Sequence, residues 1–236
     1  MRASAITGVA AAVTALAVVL SGCGSDTKTA TSSSSSKSEP SSSNEATTSK
    51  KPKASESPQP AAGPNPTIAD YITQNGIEET GVKMGDPSAP AVNLPVPDGW
   101  QALSPEDTPD YAYGAIVYTG AEFESDPPNI IALMSKLSGD VDPQKIIDLA
   151  PGELKNLPDY APGNEGETST LSNHPAYVLG GTYTRDGATR FIAQKTVVIP
   201  RPDGLYVLQL NVDGPEEAGE VLAAATEKID SDTTIG

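Results

Sequence analysis

The sequence predicts an α+β domain over residues 65–236, in which a mainly antiparallel sheet is flanked by helices as an α/β/α sandwich. Two observations support this fold class. Helical patterns open the domain, recur midway and close it, and strand-like runs fill the rest. The connections Asp186-Gly187 and Asp203-Gly204 carry the residue pair that favours a tight hairpin between antiparallel strands.

Helices are predicted at residues 67–75, 142–157 and 215–229. The first begins at Thr67, a residue type that caps helices, and its apolar residues follow at helical spacing. Pro151 lies inside the second pattern and should kink or divide that helix, because proline removes a backbone donor and clashes with the preceding turn. The third has a proline and two glutamates at its start, which suits the positive end of a helix.

Six strand-like runs complete the domain. They are residues 113–119, 129–137, 167–171, 176–184, 190–199 and 205–212. In the last run, apolar residues occur at nearly consecutive positions, which is typical of a central strand buried on both faces. Those residues are Leu205, Val207, Leu208 and Leu210.

The start of the chain, residues 1–22, has the layout of a secretory signal peptide that ends before a cysteine. Arg2 precedes an apolar run to Leu20, and small residues lead to Cys23. This ending resembles a bacterial lipobox, which implies cleavage before Cys23, an S-linked diacylglycerol and an N-acyl chain such as palmitate. A transmembrane helix or a free thiol is the alternative, but an apolar run of about 15 residues is shorter than the roughly 20 that span a bilayer. We therefore expect a lipid anchor on the extracytoplasmic face of the cell membrane.

Residues 23–64 are predicted to form a disordered tether behind that anchor. The segment is rich in Ser, Thr, Lys, Glu, Pro and Ala and has no aromatic residue, so it cannot bury enough apolar area to offset the entropy of ordering. A flexible chain of this length averages roughly 35 Å from end to end. The tether is interpreted as a plain spacer, with O-glycosylation as the alternative.

Charge is concentrated in the predicted domain. Residues 65–236 hold nine basic and 27 acidic side chains, a net charge of −18, while the whole chain carries −16. So acidic a domain repels phosphate backbones and anionic lipid head groups. The composition therefore argues against nucleic acid as a partner and against flat docking of the domain on an anionic bilayer.

The residue inventory offers little for catalysis, and no catalytic residue, metal or cofactor is predicted. His174 is the only histidine and lies in a predicted turn, and no nucleophile elbow, phosphate loop or zinc motif occurs. Carboxylate pairs could serve a hydrolase, but they fall in predicted loops or helix starts, where solvated charge is usual. These runs are Glu78-Glu79, Glu106-Asp107-Asp110, Glu122-Glu124-Asp126 and Glu216-Glu217.

Aromatic residues indicate where a ligand could bind. An extended segment with two prolines delivers Trp100, and tyrosines recur in the predicted strands. We expect a groove between sheet and helix beside Leu179-Gly180-Gly181, where small residues leave room next to the backbone. Its predicted lining is Trp100, Tyr113, Tyr118, Tyr177 and Tyr183. Packing in the core or on a sheet face is the alternative role for each of them.

Several long motifs resemble the LpqN/LpqT family of mycobacterial-type lipoproteins. They include Thr67-Ile68-Ala69-Asp70-Tyr71-Ile72, Leu94-Pro95-Val96-Pro97-Asp98, Gly114-Ala115-Ile116-Val117-Tyr118-Thr119, Ala150-Pro151-Gly152-Glu153-Leu154, Gln194-Lys195-Thr196-Val197-Val198 and Val207-Leu208-Gln209-Leu210-Asn211. The resemblance covers residues 62–236 and implies a fold similar to PsbP and Mog1. It marks no ligand residue other than the lipobox cysteine.

The resemblance implies a non-enzymatic function at the cell envelope. The expected ligands are trehalose-based mycolate glycolipids, and the expected partners are the envelope transport or mycolyltransferase proteins that export and transfer them. A protein-interaction adaptor without a small-molecule pocket is a second hypothesis. A hydrolase of envelope esters or glycans is a third, which the residue inventory argues against.

Overall fold

The computed structural model describes residues 63–236. The predicted signal peptide, Cys23 and nearly all of the tether lie outside the described residues. Within residues 63–236, none of the helices has the length and apolar character needed to cross a bilayer.

The described chain contains four α-helices and eleven β-strands. The helices are α1 (Ile68–Gln74), α2 (Pro143–Leu149), α3 (Gly152–Lys155) and α4 (Gly219–Asp232). The strands are β1 (Glu78–Gly81), β2 (Val92–Asn93), β3 (Trp100–Ala102), β4 (Gly114–Tyr118), β5 (Asn129–Ser138), β6 (Ala161–Pro162), β7 (Glu167–Leu171), β8 (His174–Arg185), β9 (Ala188–Arg201), β10 (Gly204–Pro215) and β11 (Thr234–Ile235).

Nine strands form one antiparallel sheet in the order β3-β4-β5-β10-β9-β8-β6. Strand β1 adds to β5 beside β4, and β7 adds to β8 beside β6. The short strands β2 and β11 pair separately. Strand β10 lies between β5 and β9 and is buried along most of its length, so the predicted central strand is confirmed.

Each face of the sheet packs against different helices. On one face, here called the α4 face, Tyr206, Leu208 and Leu210 of β10 share a core with Leu222 and other residues of α4. On the opposite face, the α2 face, Leu205 and Val207 share a core with the helices α1 and α2. This alternation follows from the period of two along a strand. The α+β fold with helices on both faces of an antiparallel sheet is confirmed.

The predicted helices form with local signals close to those expected. Thr67 caps α1 through a reciprocal capping box with Asp70, and Asp142 caps α2 by accepting a hydrogen bond from the Gln144 amide. The predicted middle helix is divided at Pro151 into α2 and α3. The closing helix differs: Pro215 ends strand β10, a 3₁₀ turn follows over Glu216–Ala218, and α4 extends to Asp232.

Two-residue turns join the four strands β7 to β10. Asp186 and Gly187 both adopt positive φ in the β8–β9 turn, as the Asp-Gly pair predicts. In the β9–β10 turn, Arg201 pairs with Gly204, so the loop is Pro202-Asp203 and the glycine already belongs to the strand. Ser172 and Asn173 make the β7–β8 turn, which places His174 in strand β8 and not in a turn as expected.

Five short strands were not predicted from the sequence: β1, β2, β3, β6 and β11. Strands β2, β6 and β11 contain two residues each, too few to show any alternation. Strand β1 is polar and exposed throughout, so Glu78 and Glu79 lie on a strand at the edge of β5, not in a loop or a helix start. Strand β3 contains three residues and pairs with β4. All five strands form by pairing with a neighbouring strand, which the local sequence does not indicate.

Candidate functional site

An apolar cavity of about 470 Å³ lies on the α4 face of the sheet, where strands β4, β5 and β10 are neighbours. Its floor contains Ile116, Ile130 and Leu210 from these three strands, and Ile229 of helix α4 forms one wall. The other walls come from the connections before β3 and between β3 and β4. Apolar side chains therefore surround the space on most sides.

Small residues on the floor give the cavity its depth. Gly114 of β4 lies opposite Ala132 of β5, and both line the cavity. A Cβ atom added to Gly114 would come within 2.9 Å of the Met84 side chain, so the glycine allows Met84 to lie close to the strand. Small residues at these two paired positions therefore border the cavity.

The rim of the cavity is unusually apolar for a surface. Met84 and Val96 retain 62% and 46% of their surface exposed, and both line the opening. Lys83 is a cation at this rim, but its ammonium donates hydrogen bonds to the carbonyl oxygens of Asp110 and Ala112. Exposed apolar groups beside an apolar cavity are typical of a site that receives an apolar ligand.

Of the five residues predicted to line a groove, Tyr113 is the one that lines this cavity. Its side chain is buried in the α4-face core. Burial raises the pKa of the phenol, against a smaller lowering by a hydrogen bond with the backbone of Val92. Tyr113 therefore remains uncharged at neutral pH and leaves the cavity without a formal charge at this point.

Trp100 and Tyr118 lie together in a neighbouring hollow. Their ring centroids are 5.6 Å apart at a tilted angle, and the two residues pair across strands β3 and β4. The Tyr118 hydroxyl donates a 2.8 Å hydrogen bond to Glu122, which raises the pKa of Tyr118. Both residues are on the α4 face, so the structure brings three of the five predicted residues to one side of the sheet.

Tyr177 and Tyr183 project from the opposite face of the sheet. Tyr177 packs against the α2-face core, and the Tyr183 hydroxyl donates to Asp213 at 2.6 Å. The expected groove beside Leu179-Gly180-Gly181 is absent, because strand β6 lies there: a Cβ atom on Gly181 would come within 2.2 Å of the Ala161 carbonyl oxygen. The prediction of one groove lined by all five residues is therefore wrong in its geometry.

The α2 face instead holds a buried charge cluster that the sequence analysis did not find. Asp213 accepts hydrogen bonds from Tyr183 and Arg190, and Arg190 also pairs with Asp126. The Arg190 side chain is only 5% exposed. Burial alone lowers the pKa of Arg190, but its hydrogen bonds with Asp213 and Asp126 raise it overall, so this guanidinium stays charged.

A second polar cluster on this face surrounds Glu153 of helix α3. Its carboxylate accepts hydrogen bonds from the side-chain amides of Gln194 and Gln209, at 3.0 and 3.3 Å. Burial raises the pKa of Glu153, the two amides lower it, and the charge of Glu79 raises it slightly. Both amides donate to the same oxygen, Oε2, and hold the carboxylate in place.

His174 begins strand β8 and is partly buried. Burial, with a contribution from the charge of Arg201, lowers the pKa of His174. Among residues 63–236, no three His, Cys, Asp or Glu side chains come together as metal ligands.

Comparison with known proteins identifies the family. The family described as "Probable lipoprotein LpqN" matches residues 64–236, which is the entire folded domain. The chain belongs to the LpqN lipoprotein family. This confirms the resemblance drawn from the sequence motifs; the likeness to PsbP and Mog1 stays a prediction.

A curated member of the LpqN family supports the assignment. The lipoprotein LpqN of Mycobacterium tuberculosis is 49% identical over 172 residues, which span 73% of this chain and 75% of the relative. The crystal structure of LpqN, described as involved in cell envelope biogenesis of that organism, superposes with a TM-score of 0.70 over 73% of this chain and 99% of the solved chain. The solved relative thus consists of this domain alone, which shows that the domain folds by itself in the LpqN family.

A second solved structure is much less similar. It is a Pseudomonas aeruginosa protein of unknown function, with 15% identity and a TM-score of 0.36 over 65% of this chain and 95% of the solved chain. Similarity at this level carries no argument about fold or function.

Most of the cavity in this chain could not have been found from the sequence. Its lining residues lie between positions 83 and 229, and most are ordinary apolar residues of strands and loops. Two local signals pointed to it. The proline-bearing segment Leu94–Pro97 was predicted to be extended and contributes three lining residues, and Tyr113 was predicted to line a groove.

Proposed function

We propose that this chain is a non-enzymatic lipoprotein of the cell envelope that binds trehalose-type mycolate glycolipids and assists their transport or transfer. It is held on the extracytoplasmic face of the cell membrane through acylated Cys23. The observation that carries the proposal is the apolar cavity of about 470 Å³ under helix α4. A volume of this size lies within the range of about 300 to 1,000 Å³ that is usual for small-molecule sites.

The cavity suits the acyl chain of such a lipid. Each methylene that leaves water contributes about 0.8 kcal/mol, and the lining offers apolar contacts on the sheet side and the helix side. The exposed rim residues Met84 and Val96 allow a chain to pass from the surface inward without crossing a polar barrier. A charged ligand would find few partners, because Lys83 already donates to backbone carbonyls.

Family membership supports a function at the cell envelope. The relative with 49% identity is described as involved in cell envelope biogenesis, and the same setting is proposed for this chain. The charge of −18 over residues 65–236 keeps the domain from adhering to anionic head groups, so a tethered domain can receive lipid and pass it on.

The adaptor hypothesis has one observation in its favour. Met84, Val96 and Tyr111 are exposed apolar residues on connections close to one another in sequence, and they could contact an envelope transport or mycolyltransferase protein. An adaptor needs no internal space, however, and the cavity therefore favours the binding function. Contact with such a protein at this rim is compatible with delivery of a lipid.

A pair of adjacent positions on strand β3 provides the test. Ala102 lines the cavity and is exposed, so Ala102→Trp should fill the opening without straining the core. Gln101→Trp adds the same side chain on the other face of the strand and is the matched control. In native mass spectrometry of residues 63–236 with trehalose monomycolate, we expect the lipid adduct to fall about tenfold for Ala102→Trp and to persist for the control.

Two outcomes would contradict the proposal. In the first, wild-type protein forms no adduct with trehalose monomycolate. In the second, Ala102→Trp binds the lipid as well as the control does, which would mean that the cavity is not the site.

A further inference from the structure

The structure places the two methionines of residues 63–236 in opposite environments. Met84 lies on the connection between β1 and β2 and is 62% exposed, whereas Met134 of β5 is 1% exposed in the α4-face core. The only cysteine of the chain, Cys23, lies outside the described residues. Among residues 63–236, Met84 is therefore the one sulfur-containing residue that is open to solvent.

Met84 lies at the opening of the apolar cavity and not on a remote part of the surface. It lines the cavity together with Val96, and both are exposed at the rim. Its terminal methyl group lies close to strand β4, because a Cβ atom added to Gly114 would come within 2.9 Å of Met84 Cε. The thioether end is thus directed toward the strand that forms part of the cavity floor. An unbranched and polarisable side chain in this position can adapt its shape to an apolar ligand.

Polar groups of the rim already have hydrogen-bond partners. The Lys83 ammonium donates to the carbonyl oxygens of Asp110 and Ala112. The Thr108 hydroxyl donates to the carbonyl oxygen of Ser104. An acceptor oxygen that is added to the thioether beside them would take its hydrogen bonds mainly from water, because the neighbouring lining is largely apolar.

Peroxides can add such an oxygen to a methionine. The thioether sulfur donates an electron pair to one oxygen of the hydroperoxide, so that an S–O bond forms and the O–O bond breaks. The sulfur is oxidised to the sulfoxide, and the peroxide is reduced and leaves as water or an alcohol. This reaction converts a flexible apolar side chain into a polar one, and methionine sulfoxide reductases reverse it.

We propose that Met84 is a redox-sensitive modification site: hydroperoxides oxidise it to the sulfoxide, and the oxidised side chain weakens the binding of apolar molecules in the cavity. The sulfoxide oxygen holds water at the opening, so the side chain no longer packs against an apolar ligand. This inference rests on the proposed function, because it requires that the cavity accepts an apolar group. Met134 is protected by burial and keeps its thioether.

The test uses residues 63–236 and the uncharged dye N-phenyl-1-naphthylamine, whose emission rises in an apolar site. Hydrogen peroxide is added until peptide mass spectrometry shows an added oxygen on Met84 and none on Met134. We expect the affinity for the dye to fall about fivefold, which corresponds to about 1 kcal/mol, since one methylene-sized apolar contact contributes on this scale. Treatment with methionine sulfoxide reductases A and B should restore the affinity.

Three variants assign the effect to this side chain and to the cavity. Met84→Leu keeps an apolar side chain of similar size that cannot form a sulfoxide, so it should bind the dye like wild type before and after peroxide. Met84→Gln places a polar amide of similar length at the opening and should bind about fivefold more weakly in both conditions. Ala102→Trp fills the opening and should lose the dye, and a urea midpoint for each sample shows that it is folded.

The outcomes separate this inference from the proposed function. Equal affinity of oxidised and unoxidised wild-type protein for the dye would overturn the role of Met84 and leave the cavity as an apolar site. Loss of affinity in Met84→Leu after peroxide, or oxidation of Met134 before Met84, would overturn it as well. If unoxidised wild type does not bind the dye, or if Ala102→Trp binds it unchanged, the cavity is not the apolar site and both proposals fall.

Discussion

The two faces of the sheet are packed in different ways. On the α4 face, the core is apolar but incomplete, because Gly114 and Ala132 leave a cavity between sheet and helix. On the α2 face, the space beyond the apolar core is filled by polar and charged groups that bind one another, such as Asp213 with Arg190. The α4 face therefore contains a space that could accept a ligand, whereas the polar groups of the α2 face stabilise the fold.

Removal of Asp213 from the α2 face should have the largest effect on the free energy of unfolding. Asp213→Ala would leave the buried Arg190 with a single, half-exposed partner, Asp126, and we expect the free energy of unfolding to fall by about 3 to 5 kcal/mol. Urea denaturation measures the loss. Asp126→Ala is the control, because an exposed partner contributes about 0 to 1 kcal/mol. Equal effects of the two substitutions would show that the α2-face cluster does not depend on Asp213.

Replacing a buried alanine by leucine should change the free energy of unfolding in opposite directions on the two faces. Ala150 is 2% exposed in the closed α2-face core, so Ala150→Leu should lower the free energy of unfolding by about 1 to 3 kcal/mol through overpacking. Ala132→Leu adds the same side chain to the cavity floor and should raise it by about 1 kcal/mol while it blocks ligand binding. Thermal and urea unfolding give both numbers. A destabilised Ala132→Leu variant would mean that the space is too narrow to accept a side chain.

The smallest expected effect is on the pH dependence of stability, through the buried side chain of Glu153. Burial raises the pKa of Glu153 in the folded domain, so the folded state holds this proton to higher pH than the unfolded chain does. Its contribution to stability is complete below the ordinary pKa of 4.5 and is lost as the pH rises through the folded value. Glu153→Gln should therefore flatten the fall in stability above pH 4.5, measured as the urea midpoint against pH.

The exposed Glu227→Gln on helix α4 is the matched control for Glu153 and should leave that pH profile unchanged. A Glu153→Gln profile that coincides with wild type would show that the two glutamine amides stabilise the charged carboxylate enough to cancel the effect of burial.

The sequence was informative wherever local chemistry decides the structure. Thr67, Asp142 and Pro151 each act within a few residues of themselves, and the helices that they begin or divide are confirmed. Strands β8 to β10 were also predicted, because turn residues such as Asp186-Gly187 mark their ends. The two-residue strands depend on distant partners, for example Ala161 on Thr182, and leave no local signature.

The candidate site was less accessible for a related reason. Tyr177 and Tyr183 are six positions apart and so share a face of one strand. Only the pairing of β8 with β9, and of β9 with β10, shows that this face is opposite to α4. The cavity depends on the meeting of Gly114 with Ala132 across two strands. Two small residues that are far apart in the sequence cannot be predicted to lie opposite each other until the strand register is known.

The two-residue turns between β7 and β10 have a consequence for how the domain forms. Each strand of this meander finds its partner next to it along the chain, so the entropy lost in closing each loop is small. Strand β5 must instead return from a distant part of the chain to pair with β10. Strands β7 to β10 can thus assemble first. The N-terminal half, which contains the rim residues Met84 and Val96 of the cavity, then completes the fold by pairing with them.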